Sequence, residues 1–162
     1  MSTIELSAAV KKQIDHWVAK YPADQKQSAV MAALQIVQDE SADHCLTPGL
    51  IAAVAVYLEM PVIAVQEVAT FYSMYEHKPV GKYKICVCTN ISCKLKGSDA
   101  IMEHLHHKLG IGLNETTVDK KFTLKEVECL GACIGAPMCQ INKDYHENLT
   151  PEKIDTLLKG LE

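Results

Sequence analysis

Four of the seven cysteines in this 162-residue chain fall in two short loops. The first reads Cys88-Thr-Asn-Ile-Ser-Cys93, and the second, about forty residues on, reads Cys129-Leu-Gly-Ala-Cys133. Two cysteine pairs with small spacers, separated by enough chain for a helix and a strand, can converge on one metal centre. Four thiolates at one point suit tetrahedral zinc or an iron–sulfur cluster. A cluster held by four thiolates stays negatively charged, so its sulfurs need nearby N–H donors, and a zinc ion needs fewer of them. Gly131 and Gly135 let backbone amides come close, and the start of the helix after Cys93 offers more. Neither loop has the Cys-x2-Cys spacing of a zinc knuckle.

The other three thiols have plainer readings. Cys86, two residues before Cys88 on the same strand, is expected to be buried or edge-facing, and Cys139 shares a strand face with Ile141 as a core cysteine. Cys45, beside His44 in a connection, reads as structural. His104, His106 and His107 crowd one helix, but with no third ligand in view they read as a solvated face. Gly110-Ile-Gly112 lacks the third glycine of a dinucleotide loop and follows a helix rather than a strand, so no nucleotide site is assigned. A thiol–disulfide oxidoreductase would need a reactive thiolate at Cys129 or Cys133; the Cys86-Val-Cys88 pair is not a Cys-X-X-Cys motif. No catalytic residue is assigned.

Composition narrows the classes further. At 48% hydrophobic and 22% charged residues the chain is globular. Its net charge of −4 argues against a nucleic-acid surface. All 16 basic residues are lysines, so bidentate arginine clamps for phosphate are absent. The start, Met1-Ser-Thr-Ile-Glu5, does not read as a leader peptide, and no apolar run approaches the ~20 residues that span a bilayer. The expectation is a cytoplasmic protein without direct membrane insertion. An odd number of cysteines there fits metal ligation plus buried thiols.

The elements that must position these residues change character part-way along. Ser7 can cap a helix carrying Val10, Ile14, Trp17 and Val18 on one face, ended by Tyr21-Pro22. A second helix over about 25–40 should bury Val30, Ala33, Leu34 and Val37. Thr47-Pro48 opens a third through Tyr57, and Met60-Pro61 opens a fourth carrying Val65, Val68, Ala69 and Tyr72. Residues 1–78 therefore read as a small helical bundle. After the breaker-rich His77-Lys-Pro-Val-Gly81, Tyr83 to Cys88 alternates as a strand. A helix over about 97–109 should bury Ile101, Leu105 and Leu109. A strand follows from Phe122 to Glu128, with Phe122, Leu124 and Val127 inward. Next come a strand from Met138 to Ile141, a turn at Asn142-Lys-Asp144, a short strand through Tyr145, and a helix capped by Thr150-Pro151 that buries Ile154, Leu157, Leu158 and Leu161. This gives an α+β chain, with β-α-β-β-α order in residues 79–162 as in a small thioredoxin-like sheet.

These residues carry a family likeness. The Cys88-x4-Cys93 and Cys129-x3-Cys133 loops resemble those of the thioredoxin-like [2Fe-2S] ferredoxin family, in the form found as the E subunit of NADH-quinone oxidoreductases (respiratory complex I). Val68-Ala-Thr-Phe-Tyr72, Ala136-Pro-Met138, Gln140-Ile-Asn142 and Leu149-Thr-Pro-Glu152 are similar to the family's surrounding segments, so the likeness spans about residues 5–161. It departs at Cys86 and Cys139, which add thiols beside intact motif positions. The resemblance implies one [2Fe-2S] cluster on Cys88, Cys93, Cys129 and Cys133, behind a helical docking domain. It further implies single-electron exchange with an FMN on the NADH-oxidising subunit, beside an adjacent iron–sulfur subunit in a peripheral arm on the cytoplasmic side. FMN and NADH would be held by partners and not by this chain. Related subunits serve NAD-linked hydrogenases and formate dehydrogenases, and a structural zinc module remains the alternative from another class.

Overall fold

The computed structural model describes residues 4–161; Met1, Ser2 and Thr3, which enter the leader reading, and Glu162 lie outside the described residues. The chain forms two compact units, one up to Pro79 and one from Val80 onward. No helix among the described residues is long and apolar enough to cross a membrane.

The first unit packs four helices, α1 (Ala8–Val18), α2 (Val30–Glu40), α3 (Pro48–Leu58) and α4 (Val62–Phe71). Ser7 Oγ accepts from the Val10 amide at 3.2 Å and Thr47 Oγ1 from the Leu50 amide at 3.3 Å, so each cap satisfies one orphan N–H. Ile14, Ala33, Leu34, Leu46, Ile51, Val54 and Val65 are fully buried between the helices. The expected helix over 25–40 is divided. Gln25 makes no side-chain cap, and the chain opens with a 3-10 turn at Lys26–Ala29 before α2 begins. Pro61, with an extended ψ of 136°, is the N-cap and not the first residue of α4, so the helix begins at Val62, one residue later than expected. Trp17 and Tyr72 are not core residues. Val10 and Ile14 suffice for the narrow buried stripe of α1, leaving Trp17 39% exposed with the Lys20 ammonium 3.6 Å from its ring centroid. Tyr72 follows the last turn of α4, where it meets Phe71 edge-on.

The second unit is a five-stranded mixed sheet: β1 (Tyr83–Cys88), β2 (Glu115–Thr116), β3 (Phe122–Val127), β4 (Cys139–Ile141) and β5 (Asp144–His146), in the order β2-β3-β1-β4-β5. β1 runs parallel to β3 and antiparallel to β4, and is therefore paired on both sides. Between β1 and β2 lie two helices, α5 (Ile91–Leu95) and α6 (Ser98–Leu109), and α7 (Pro151–Gly160) closes the chain. Ile85, Val87, Leu124, Cys139 and Ile141 form one sheet face, packed against Ile101 and Leu105 of α6 and Ile154 and Leu158 of α7. Leu109, Leu157 and Leu161 are only partly buried at its margin. Strand alternation puts Val127, partner of Cys88, on the opposite face from Leu124, so it does not join this core.

Two of the crowded histidines are tied down rather than solvated. His106 Nδ1 lies 2.7 Å from the Ile111 carbonyl, and His104 Nε2 lies 2.9 Å from Asp155 Oδ1, clasping α6 to α7. Lys108 Nζ reaches the same carboxylate at 3.2 Å. The His104 hydrogen bond first, and the Lys108 bond next, hold the Asp155 carboxyl below the usual carboxylate range. A folded group that ionises more readily than the unfolded one stabilises fully above the ordinary range and loses that contribution as pH falls through its lower folded value. Asp155→Asn is thus expected to lower the melting temperature at pH 7, with the gap to wild type closing as pH drops below about 4. A gap that stays constant down to acid pH would show that the clasp is not ionic.

Candidate metal centre

β1 ends at Cys88, and the chain turns at Asn90, whose Oδ1 accepts from the Ile91 amide at 2.7 Å and caps the single turn of α5. Cys93 is therefore inside a short helix, where a loop residue followed by a helix start was expected. A second helix, α6, does follow, but only after Gly97, so the residues directly beyond Cys93 are the end of α5. Cys129 lies two residues past the end of β3, and Cys133 begins a 3-10 turn, Cys133–Gly135. The Ala136–Pro137 bond that follows is cis.

The structure brings Cys88 and Cys93 together. Both thiols are buried with Ala136 and Met138, and Leu130 and Ala132 pack against them from the second cysteine loop. The Cys88 thiol is hydrogen-bonded to that of Cys93, and Cys133 stands close enough for its charge to be felt there. Cys129 and Cys133 are exposed. Among the described residues, no three His, Cys, Asp or Glu side chains close on one point that can hold a metal ion. Burial first, then the Cys88 hydrogen bond and the charges of Cys88 and Cys133, push Cys93 up to about 11, while the Met138 N–H pulls it down. Crowded thiols that resist ionisation next to one another are a donor set whose proton loss a bound cation offsets.

N–H donors are already in place for sulfur. The Met138 amide donates to Cys93, and the Gly131 amide to Cys129 Sγ at 3.4 Å. Gly131 has a φ of +78°, a conformation that favours glycine, so its place in the loop is a backbone requirement. The Cys88 thiol donates to the Glu128 carbonyl at 3.8 Å, a bond that ligation would replace. The donor set, four thiols with amides aimed at two of them, fits an iron–sulfur cluster better than a bare zinc ion.

The remaining thiols sit apart from these loops. Cys86 is buried, and since β1 is the central strand it has no sheet edge to face. Cys139 is fully buried in the sheet core, and burial, then the neighbouring Cys86, pushes its thiol up to about 12. Cys45 is buried in the first unit, where burial again raises its thiol. Gly110, at a φ of +66°, caps the C-terminus of α6 rather than cradling a phosphate.

Residues 14–162 match the family model described as "Thioredoxin-like [2Fe-2S] ferredoxin". The chain belongs to this family. Among similar proteins, the E subunit of the NADH-quinone oxidoreductase of Rickettsia felis is 52% identical over 141 residues, covering 87% of this chain and 84% of the relative. The E 2 subunit of the NADH-quinone oxidoreductase of Rhizobium meliloti is 42% identical over 152 residues, 93% of this chain and 88% of the relative. In fold, the chain is similar to part of an NAD+-reducing [NiFe]-hydrogenase solved in the air-oxidized state. That match has a TM-score of 0.70 at 21% identity and covers 85% of this chain. It spans only 24% of the hydrogenase chain, and at this identity the likeness shows the fold alone.

Sequence reasoning missed the grip on the second cysteine loop. Tyr145 Oη donates to the Leu130 carbonyl at 2.8 Å, and the Asn148 amide donates to the Gly135 carbonyl at 2.6 Å. Nothing in the local pattern of residues 144–148 marks them as partners of residues 130–135.

Proposed function

We propose that this chain is the electron-carrying E subunit of an NADH-quinone oxidoreductase, with one [2Fe-2S] cluster on Cys88, Cys93, Cys129 and Cys133. When bound, such a cluster takes up and gives back single electrons. NADH yields a two-electron hydride, so a flavin has to stand between the two, and FMN and NADH belong to a partner subunit. The carrying observation is a pair of buried thiols, Cys88 and Cys93, packed against the second cysteine loop, where the Gly131 amide donates to the exposed Cys129 sulfur. The identity to the two relatives over most of the chain supports the choice of complex.

In this reading the chain's own residues do three things. Cys88 and Cys93 anchor the cluster from the sheet side, where Met138 and Ala136 exclude water. Cys129 and Cys133 complete its ligation at the surface, where Ile91, Leu95 and Ile134 are strongly exposed and offer an apolar rim for a redox partner. Residues 1–78 dock on the flavin subunit and residues 79–162 hold the cluster, beside an adjacent iron–sulfur subunit in the peripheral arm on the cytoplasmic side. Membership of an NAD-linked hydrogenase is the less favoured reading, because that likeness is one of fold.

Anaerobic purification of the full chain, with metal analysis, a visible spectrum and low-temperature EPR after dithionite, tests the cofactor. The expected result is a red-brown protein with two irons and two sulfides per chain and a rhombic signal on reduction. A colourless protein holding zinc, even after iron–sulfur reconstitution, would overturn the reading.

A further inference from the structure

The segment that returns from β5 to α7 lays a carboxylate against the second cysteine loop. Gly135, two residues after Cys133, is buried, and its bare backbone is faced by the side chain of Glu147. A Cβ at Gly135 would overlap the Glu147 Oε2, with Glu147 Cβ and Cδ each only 2.5 Å away. The absence of a side chain there is thus what lets the carboxylate lie on the turn that begins at Cys133. The placement is held from both sides, by the Asn148 amide on the Gly135 carbonyl and by Tyr145 on the Leu130 carbonyl.

Other acids of the neighbourhood are differently placed. Glu126 is exposed and its Oε1 accepts from Thr89 Oγ1 at 2.7 Å, and Glu128 is exposed. Glu147 is half-buried, so its field is less screened by water than theirs. Lys153 Nζ donates to the Glu147 main-chain carbonyl, which puts the lysine on the backbone of this residue.

We infer that Glu147 is a potential-setting residue: its carboxylate, laid on Gly135 beside Cys133, opposes the addition of an electron at the four-cysteine site. The inference rests on the cluster reading proposed above. One electron enters the site from a flavin or chemical reductant, no bond is made or broken at Glu147, and the added negative charge meets the standing one. The site is in consequence harder to reduce than the same ligands would be without Glu147.

The test is a mediated redox titration of the cluster-loaded full chain, followed by visible absorption and EPR, for wild type, Glu147→Gln, Glu147→Ala, Glu147→Asp and Glu103→Gln. Glu103, an exposed α6 residue outside the cysteine loops, serves as the control. At the wild-type midpoint, the reduced-to-oxidised ratio is expected to rise roughly threefold or more in Glu147→Gln and Glu147→Ala. It should stay near wild type in Glu147→Asp and Glu103→Gln, with iron and sulfide content unchanged. Should the Gln variant lose iron, the Ala and Asp variants carry the same comparison. A loaded Gln or Ala variant that titrates like wild type, or an Asp variant shifted as far as Gln, would overturn the role of Glu147 alone. A wild-type chain that binds no iron and sulfide would remove the cluster reading and this inference with it.

Discussion

Replacing Cys93 with serine is expected to leave the chain nearly free of iron and sulfide, with retention down roughly tenfold or more after reconstitution. Cys93 is 1% exposed, fixed in the single turn of α5, and surrounded by Cys88, Ala136 and Met138. A serine hydroxyl there is a harder and far less acidic ligand, and its shorter bond does not reach where the sulfur stood. Burial closes the other route, since no water or added thiol can enter to fill the missing position. At the exposed Cys129 and Cys133 such replacement is open, so serine there should be the milder change.

Cys139→Ala supplies the contrast. Cys139 is as buried as Cys93 but lies in the sheet core, with its thiol pushed up to about 12 by burial. Its truncation leaves a small cavity worth about 1–3 kcal/mol of stability. The expected result is a lower melting temperature with full iron content. Iron and sulfide analysis on both variants decides the matter: full loading of Cys93→Ser, or an iron-free Cys139→Ala, would mean that the ligand set is wrong.

The second large effect is expected from removing residues 1–78. The helical unit has its own core around Leu34, Ile51 and Val54, and none of the four proposed ligands belongs to it. The remaining chain keeps the sheet, the α6 and α7 cover and both cysteine loops. Its visible and EPR spectra should match those of the full chain. Binding to the flavin subunit should weaken on the order of a hundredfold, enough to lose co-purification. The helical unit exposes Val56, Val62, Ile63 and Phe71, apolar surface of the kind that a partner covers. Retained assembly of the truncated chain would refute docking through this unit.

Much of the architecture was readable because its signals act over three or four residues. Ser7, Thr47 with Pro48, and Thr150 with Pro151 mark helix starts since a cap side chain reaches only the amides of its own first turn. Val30, Ala33, Leu34 and Val37 declare the buried face of α2 through helical spacing alone. The candidate ligands likewise stood out by spacing, as pairs of thiols with small spacers. Where local signals were weak, expectation and structure part. The two-residue β2 is too short to alternate, α5 is one capped turn with no periodicity, and Trp17 satisfied the helical spacing but lies outside the stripe that is buried.

By itself, then, the sequence determined the helix caps, the alternation of β1, and the two thiol pairs that point to metal. Only the tertiary structure decided that β1 is central, which buries Cys86 between two neighbouring strands. The same holds for Glu147 on Gly135: eleven residues lie between them, and β4 and β5 must pair before the chain returns to that turn. Spacing reveals what one element presents along its own axis. Which elements then lie side by side depends on burying the faces of all of them together, and no single stretch of chain contains that information.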